Sequence, residues 1–260
     1  MEPRILAHQV TGEGSPLVLV PGALTGWLSW IPHEDRLRDH HQVIRVQPIH
    51  NERGSAGIPG DPGYSAAVER ESLLLTLDHL DVDSADFAGW SGGARALIEF
   101  GIVHPRRART LTLVEPPAYW VLSELGESDP SVEELERFLA KLAGREVTPE
   151  HLARFLVGAG FAPDPDAVRS HPAWESWVPH RMALSWQGFI GAGRQLADLA
   201  CISSPSLLVK GTRTVPWQAR VVDRLGDHLP RSKVVELEGD HACHIESMDR
   251  FLEEMEEHLH

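Results

Sequence analysis

Gly89-Trp90-Ser91-Gly92-Gly93 sets a serine between glycines, the G-x-S-x-G spacing in which a hydroxyl stands out from a tight turn. Such a serine is a candidate nucleophile for attack on a carbonyl carbon. Its hydroxyl is a weak nucleophile at neutral pH, so a base with a near-neutral pKa has to take its proton. The chain offers 15 histidines for that task. The spacing has chemical meaning only where a strand runs straight into a helix, because that turn strains the serine backbone and leaves no room for side chains two residues away. Phe87-Ala88 reads as the end of such a strand and Ala94 to Val103 as such a helix. Taken alone, the same five residues also suit a glycine-rich turn whose serine caps the helix. Metal chemistry has little support: Cys201 and Cys243 lack ligand spacing and read as free, buried thiols, and His241 with His244 lacks a third ligand nearby. No metal and no cofactor is expected.

The elements that would hold Ser91 follow from hydrophobic patterning. Short apolar runs bounded by Gly, Pro or polar clusters recur at Leu17 to Val20, Val43 to Val46, Phe87 to Ala88, Leu111 to Val114, Ser206 to Val209 and Val234 to Leu237, and read as buried parallel strands. Helical spacing lies between them, as in Leu73, Leu77 and Leu80, and closes the chain at Met248, Leu252, Met255 and Leu259. This alternation predicts an α/β fold, a doubly wound, mostly parallel sheet flanked by helices, with an antiparallel start supplied by Ile5 to Val10. The alternation stops between about 118 and 205, where helical signals take over. A capping box is expected at Ser131-Val132-Glu133-Glu134, and an N-cap with proline at the first helical position at Thr148-Pro149. Trp174, Trp177, Met182, Leu184, Trp186 and Phe189 mark a third helical stretch that Pro179 should kink or divide. The expected organisation is a core of 1–117 and 206–260, with a helical insertion at 118–205. The acidic run Glu253-Glu254-Met255-Glu256-Glu257 reads as a solvated helix face.

Charge and composition narrow the function classes. A net charge of −14 disfavours nucleic acid and anionic membrane as partners, because phosphate would be repelled. No apolar run is long enough to span a bilayer, and the start Met1-Glu2-Pro3-Arg4-Ile5 lacks the basic and apolar stretches of a secretory signal, so cytoplasm is the expected location. The expected partner is a small-molecule substrate, and no oligomer interface is legible.

From Ile5 to the last helix the chain resembles the α/β-hydrolase superfamily. The nucleophile turn, the run Leu17-Val18-Leu19-Val20-Pro21-Gly22-Ala23-Leu24 and the run Leu237-Glu238-Gly239-Asp240-His241 carry that resemblance. It implies Ser91 as nucleophile and His241, between the last strand and last helix, as base, with His244 a competitor one turn on. It implies an oxyanion hole from the backbone N–H groups of Ala23 and Gly92. Pro21 stands where the family often has histidine, and since backbone supplies both donors, that change does not remove them. Pro21-Gly22 is also readable as a plain strand-ending turn. The orienting acid departs from the commoner pattern: Gly211-Thr212-Arg213-Thr214-Val215-Pro216 holds no carboxylate, and Thr214 occupies the usual aspartate's place. A minority of the family carries the acid one strand earlier, which here makes Glu115, ahead of Pro116-Pro117, the candidate that holds the imidazole in its working tautomer. Asp240 is expected to point away from His241.

The insertion resembles the helical cap that many members place over the site. Its tryptophans, with Trp27, Trp30, Trp90 and Trp217, are candidates to line an apolar or aromatic pocket; packing cap against core is the other reading of each. The reading that results is a capped serine esterase working through an acyl-enzyme. An acyltransferase, a cofactor-free lyase or cyclase, a perhydrolase-like enzyme and a catalytically silent binding protein remain open on the same fold.

Overall fold

The computed structural model describes residues 1–190 and 194–259. Seven strands form one sheet in the order β1-β3-β2-β4-β5-β6-β7: β1 Ala7–Thr11, β2 Ser15–Val20, β3 His41–Gln47, β4 Ala85–Trp90, β5 Ala108–Val114, β6 Ser206–Gly211 and β7 Ser232–Leu237. Only β1 runs antiparallel, paired with β3, and every other pairing is parallel. The six strands β2 to β7 cover their expected apolar runs and extend past them, because flanking polar residues such as Gln42, Gln47 and Thr110 continue the ladder, while β1 begins at Ala7, two residues into the expected Ile5 to Val10. Alternation sorts the side chains of β2 between two cores, Leu17 and Leu19 facing one and Val18 and Val20 the other. The expectation of burial fails at β7. It has a neighbour on one side only, Val234 is 39% exposed, and Lys233 and Glu236 guard the free edge as charges commonly do.

The chain leaves β2 for β3 in one direction and leaves β4 for β5 in the other, so the strand order reverses between β2 and β4. Val20 pairs with Gly89 there. Crevices at such switch points, beyond the carboxyl ends of the strands, are where open α/β sheets bind ligands. The loop starting at Pro21 and the turn at Ser91 therefore emerge side by side.

Helices α1 Ile31–Leu37, α2 Ile49–Ser55, α3 Ala66–His79 and α4 Gly92–Val103 cover the first half of the sheet. Among the described residues between β5 and β6 every regular element is helical: α5 Trp120–Glu124, α6 Pro130–Leu142, α7 Pro149–Gly158, then short α and 3-10 turns over 165–187 and at Leu196–Cys201. Pro179 does divide its segment, sitting at the start of a 3-10 turn, Val178–Ala183. Thr148 caps α7 with a capping box completed by His151. The box expected at Ser131 is instead an Asp129 cap, with Pro130 in the first turn and Asp129 Oδ1 accepting from the Ser131 N–H; proline suits that first turn and decides the frame. Val132, Leu135, Leu152, Met182 and Trp186 are buried in the same cluster as the sheet residues.

Two surface expectations are corrected. Cys201 is exposed and only Cys243 is buried, both as free thiols. Within the acidic run, Glu254 is buried because Lys233 Nζ reaches its Oε2 at 2.8 Å and Arg250 holds its other oxygen. No described helix is long and apolar enough to cross a membrane.

Candidate active site

Ser91 is held by strain and by glycine. Its φ of +52° and ψ of −120° lie where non-glycine residues rarely go, a cost of about 1–3 kcal/mol that the surroundings must over-determine. Ser91 N donates to Val114 O at 2.8 Å, and Ser91 O accepts the first turn of α4 from Arg95 N at 3.0 Å. A Cβ on Gly89 would lie 2.8 Å from Ala94 N, and one on Gly93 would fall on the Val20 carbonyl oxygen. The two glycines let strand and helix meet this closely, and the serine is pushed out at the apex.

His241 bridges two partners from distant parts of the chain. Its Nδ1 donates to Glu115 Oε2 at 2.6 Å, since a carboxylate only accepts. That assigns the tautomer and leaves Nε2 to accept from Ser91 Oγ at 2.9 Å. Glu115 is fully buried at the end of β5, itself at a strained φ of +43°. A carboxylate so placed must be hydrogen-bonded. Gly211 N donates to Oε1 at 2.8 Å, and Thr214 Oγ1 donates to Oε2 at 2.8 Å. The threonine in the usual aspartate's place therefore supports an acid that comes from one strand away.

The competing groups are drawn elsewhere. His244 is fully buried, stacked on His33 with ring centroids 5.3 Å apart. Burial first, then the neighbouring His33 and His241, hold its pKa well below the ordinary value, so it is no partner for Ser91. His33 is likewise lowered to about 4 by burial. Asp240 turns away from the imidazole, its Oδ1 accepting from Ala242 N at 2.8 Å.

Ala23 and Gly92 border a cavity of about 50 Å³ with Ser91 and His241. Gly92 N lies in the first turn of α4, where a helix has no internal acceptor. A Cβ on Gly92 would sit 3.8 Å from Ala23 N, so the two peptides lie against each other beside the hydroxyl, suited to a developing negative charge. Among the described residues no cluster of three or more His, Cys, Asp or Glu is arranged to hold a metal.

Residues 17–254 match the Alpha/beta hydrolase family. The chain belongs to that family. Among curated relatives of this α/β hydrolase, it is 28% identical over 165 residues to 2-hydroxymuconate semialdehyde hydrolase of Pseudomonas sp. (strain CF600), covering 59% of this chain and 56% of the relative. It is 29% identical over 167 residues to 2-hydroxy-6-oxo-2,4-heptadienoate hydrolase of Pseudomonas putida, covering 60% and 59%. The chain thus spans little more than half the length of these relatives. Among solved structures it resembles a hydrolase from Pseudomonas aeruginosa PA01 with a TM-score of 0.75 at 22% identity, covering 95% of this chain and 91% of that one. At that identity the likeness speaks for the fold.

In this α/β hydrolase the tryptophans divide. Trp90 lines a slot beside Ser91 with Phe155, Phe161 and Trp177 from the insertion, and its Nε1 donates to His241 O at 2.8 Å. Trp217 borders the cavity at Ser91, edge-on to Tyr119 at 5.2 Å. Trp30 is corrected: it is fully buried against His33, His244 and Phe251 and lines no cavity at Ser91. Trp27 is also corrected, its ring lying under the Arg45 guanidinium and its backbone N–H donating to Gln47 Oε1, outside the lining of the cavities at Ser91. Phe155 and Phe161 are wall residues the sequence reading missed, and a signal exists for Phe161. Gly160, at φ +85°, follows α7, with Gly160 N on Val157 O and Phe161 N on Leu156 O. That is a Schellman ending, which throws the next apolar residue back over the helix end, and Phe161 lands 5.2 Å from the His241 ring.

Proposed function

We propose that this chain is a serine hydrolase that cleaves a small apolar or aromatic ester through an acyl-enzyme. The observation that carries the reading is the continuous hydrogen-bond path from Ser91 Oγ through His241 to the buried Glu115. Ser91 Oγ attacks the ester carbonyl carbon as His241 Nε2 takes its proton. Glu115 stabilises the imidazolium through Nδ1–H. The N–H groups of Ala23 and Gly92 hold the tetrahedral oxyanion. Collapse breaks the carbon–oxygen bond, and His241 returns the proton to the leaving alcohol. A water then gives a proton to His241 as it attacks the acyl carbon, and collapse of that intermediate breaks the bond to Ser91 Oγ, which takes the proton back from His241 as the carboxylic acid leaves. No step draws on a metal or cofactor.

The insertion, residues 118–205, serves as the cap, supplying Phe155, Phe161 and Trp177 to the slot. That slot is about 30 Å³ and the cavity at Ser91 about 50 Å³, a few water molecules' worth each, which favours a small substrate. The relatives named as hydrolases of 2-hydroxymuconate semialdehyde and 2-hydroxy-6-oxo-2,4-heptadienoate support a second reading, hydrolysis of another activated carbonyl compound by the same residues.

Mass spectrometry after exposure to a fluorophosphonate tests the central claim. The adduct is expected on Ser91 in the unmodified chain and absent in Ser91→Ala, with labelling slowed at least roughly a hundredfold in His241→Ala. A folded protein that takes no label at Ser91 rules the serine-hydrolase reading out.

A further inference from the structure

Two spaces border Ser91 and a third adjoins one of them. The aromatic slot and the cavity at the hydroxyl share Ser91, His241, Ala23 and Phe155. A third space of about 40 Å³ lies behind the first turn of α4 and shares Gly92, Arg95 and Gln187 with the cavity at Ser91. His241 borders the first two and not the third. The leaving alcohol must receive its proton from His241 Nε2, so it belongs on the slot side. The acyl half of the substrate then points toward the third space.

The two polar groups at that junction are of one kind. Among the described residues lining the cavity at Ser91, Arg95 carries the one permanent charge, and no carboxylate joins it. Its field reaches across the space: burial pushes the Tyr119 phenol up, and Arg95 pulls it partly back. Gln187 faces the same junction from the insertion, and its buried Nε2 has no hydrogen-bond partner among the described residues. A buried donor left unpaired is costly and calls for an acceptor. The carboxylates of the third space are already engaged. Glu99 accepts from Arg194 at 2.7 Å, and Glu69 accepts from Tyr64 at 2.7 Å and from His50 at 3.0 Å. Arg95 itself interacts within the fold, and its five N–H donors allow one guanidinium to hold a protein partner and a carboxylate together.

We propose that the junction built by Arg95 and Gln187 is a carboxylate-binding subsite, and that the preferred substrate is an ester whose acyl chain ends in a carboxylate. The proposal rests on the serine-hydrolase reading for the position of the ester, and it adds the substrate class. The methylenes between the ester carbonyl and that carboxylate lie in the cavity at Ser91, beside Tyr119, Leu139 and Trp217.

Monobenzyl glutarate and benzyl pentanoate match in chain length and differ in the terminal carboxylate. Calorimetric binding to Ser91→Ala reads recognition without turnover, and benzyl alcohol release by the unmodified chain reads the reaction. The hemiester is expected to bind and react roughly ten- to a hundredfold better than the neutral ester. Arg95→Met should remove most of that ratio. Arg95→Lys should retain part of it, since it keeps the charge and loses the fork. Gln187→Glu keeps Arg95 and the side-chain size while placing a carboxylate at the junction, and it should abolish the ratio too, which covers the case in which Arg95→Met fails to fold. A ratio near one in Ser91→Ala, or one that survives both Arg95→Met and Gln187→Glu, overturns the subsite. Arg95-dependent binding without alcohol release or fluorophosphonate labelling leaves the subsite standing and refutes the hydrolase reading instead.

Discussion

The strand ends and the insertion both border Ser91, and they are built to different tolerances. Ser91, His241 and Glu115 stand at the carboxyl ends of β4, β7 and β5, two of them at positive φ, and each is tied to a neighbouring backbone or side chain at 2.6 to 3.0 Å. The insertion reaches the same space with Phe155, Phe161, Trp177 and Gln187 from helix ends and short turns. Proton transfer is slowed sharply when a donor moves by an ångström, and Ser91, His241 and Glu115 are fixed at or just past the ends of sheet strands. A pocket wall tolerates drift, because apolar contact is not directional. The difference teaches that the reaction is written in backbone and the selectivity in side-chain packing.

The sharpest test of that division is Glu115→Gln. The amide preserves shape but can no longer accept from Nδ1–H with a full charge, and it invites the wrong imidazole tautomer. Turnover of a simple ester should fall by roughly three to four orders of magnitude, with KM almost unchanged. Steady-state kinetics on benzyl pentanoate give the answer. A loss below about tenfold would remove Glu115 from the reaction and make its hydrogen bond to His241 a packing feature.

Much of the strand-end region is legible in the residues. Apolar runs mark the six parallel strands, most of them because both sheet faces are covered there, and the Gly89-to-Gly93 turn announces its own strain. Glu115 is readable only through what is missing at Thr214, which made the acid a matter of choosing between two strand ends. Nothing in the sequence tells that Thr214 then donates to Glu115. Thr214→Val keeps the volume and deletes that one donor of three. The expected cost is about tenfold in kcat, measured on the same ester, with the melting temperature checking that the buried carboxylate has not destabilised the fold. An unchanged kcat would show that Gly211 N and His241 Nδ1 suffice to hold Glu115 in register.

The insertion is less legible because its helices are short and its wall residues obey no single period. Outside the insertion, Trp30 is grouped with Trp90 only as a tryptophan near the proposed site, although Trp90 directly precedes Ser91 at the end of β4. Their separation depends on α1 turning Trp30 inward onto His33 and Phe251, which is a tertiary event. Phe161 was hidden for the opposite reason, since a residue after a helix end has no periodic partner, and only the Gly160 ending marks it.

Phe161 is also where the division is most exposed to failure. It belongs to the insertion, yet its ring meets both Trp177, at 5.6 Å, and His241, at 5.2 Å. If the insertion sets selectivity alone, Phe161→Ala should raise KM for benzyl esters by about three- to tenfold, the worth of one aromatic contact, and leave kcat within about twofold. Methyl esters, which do not fill the slot, should be nearly indifferent. If kcat falls for both ester classes alike, Phe161 is instead holding the imidazole against Glu115 and Ser91. The boundary between reaction and selectivity would then run through the insertion rather than along its edge.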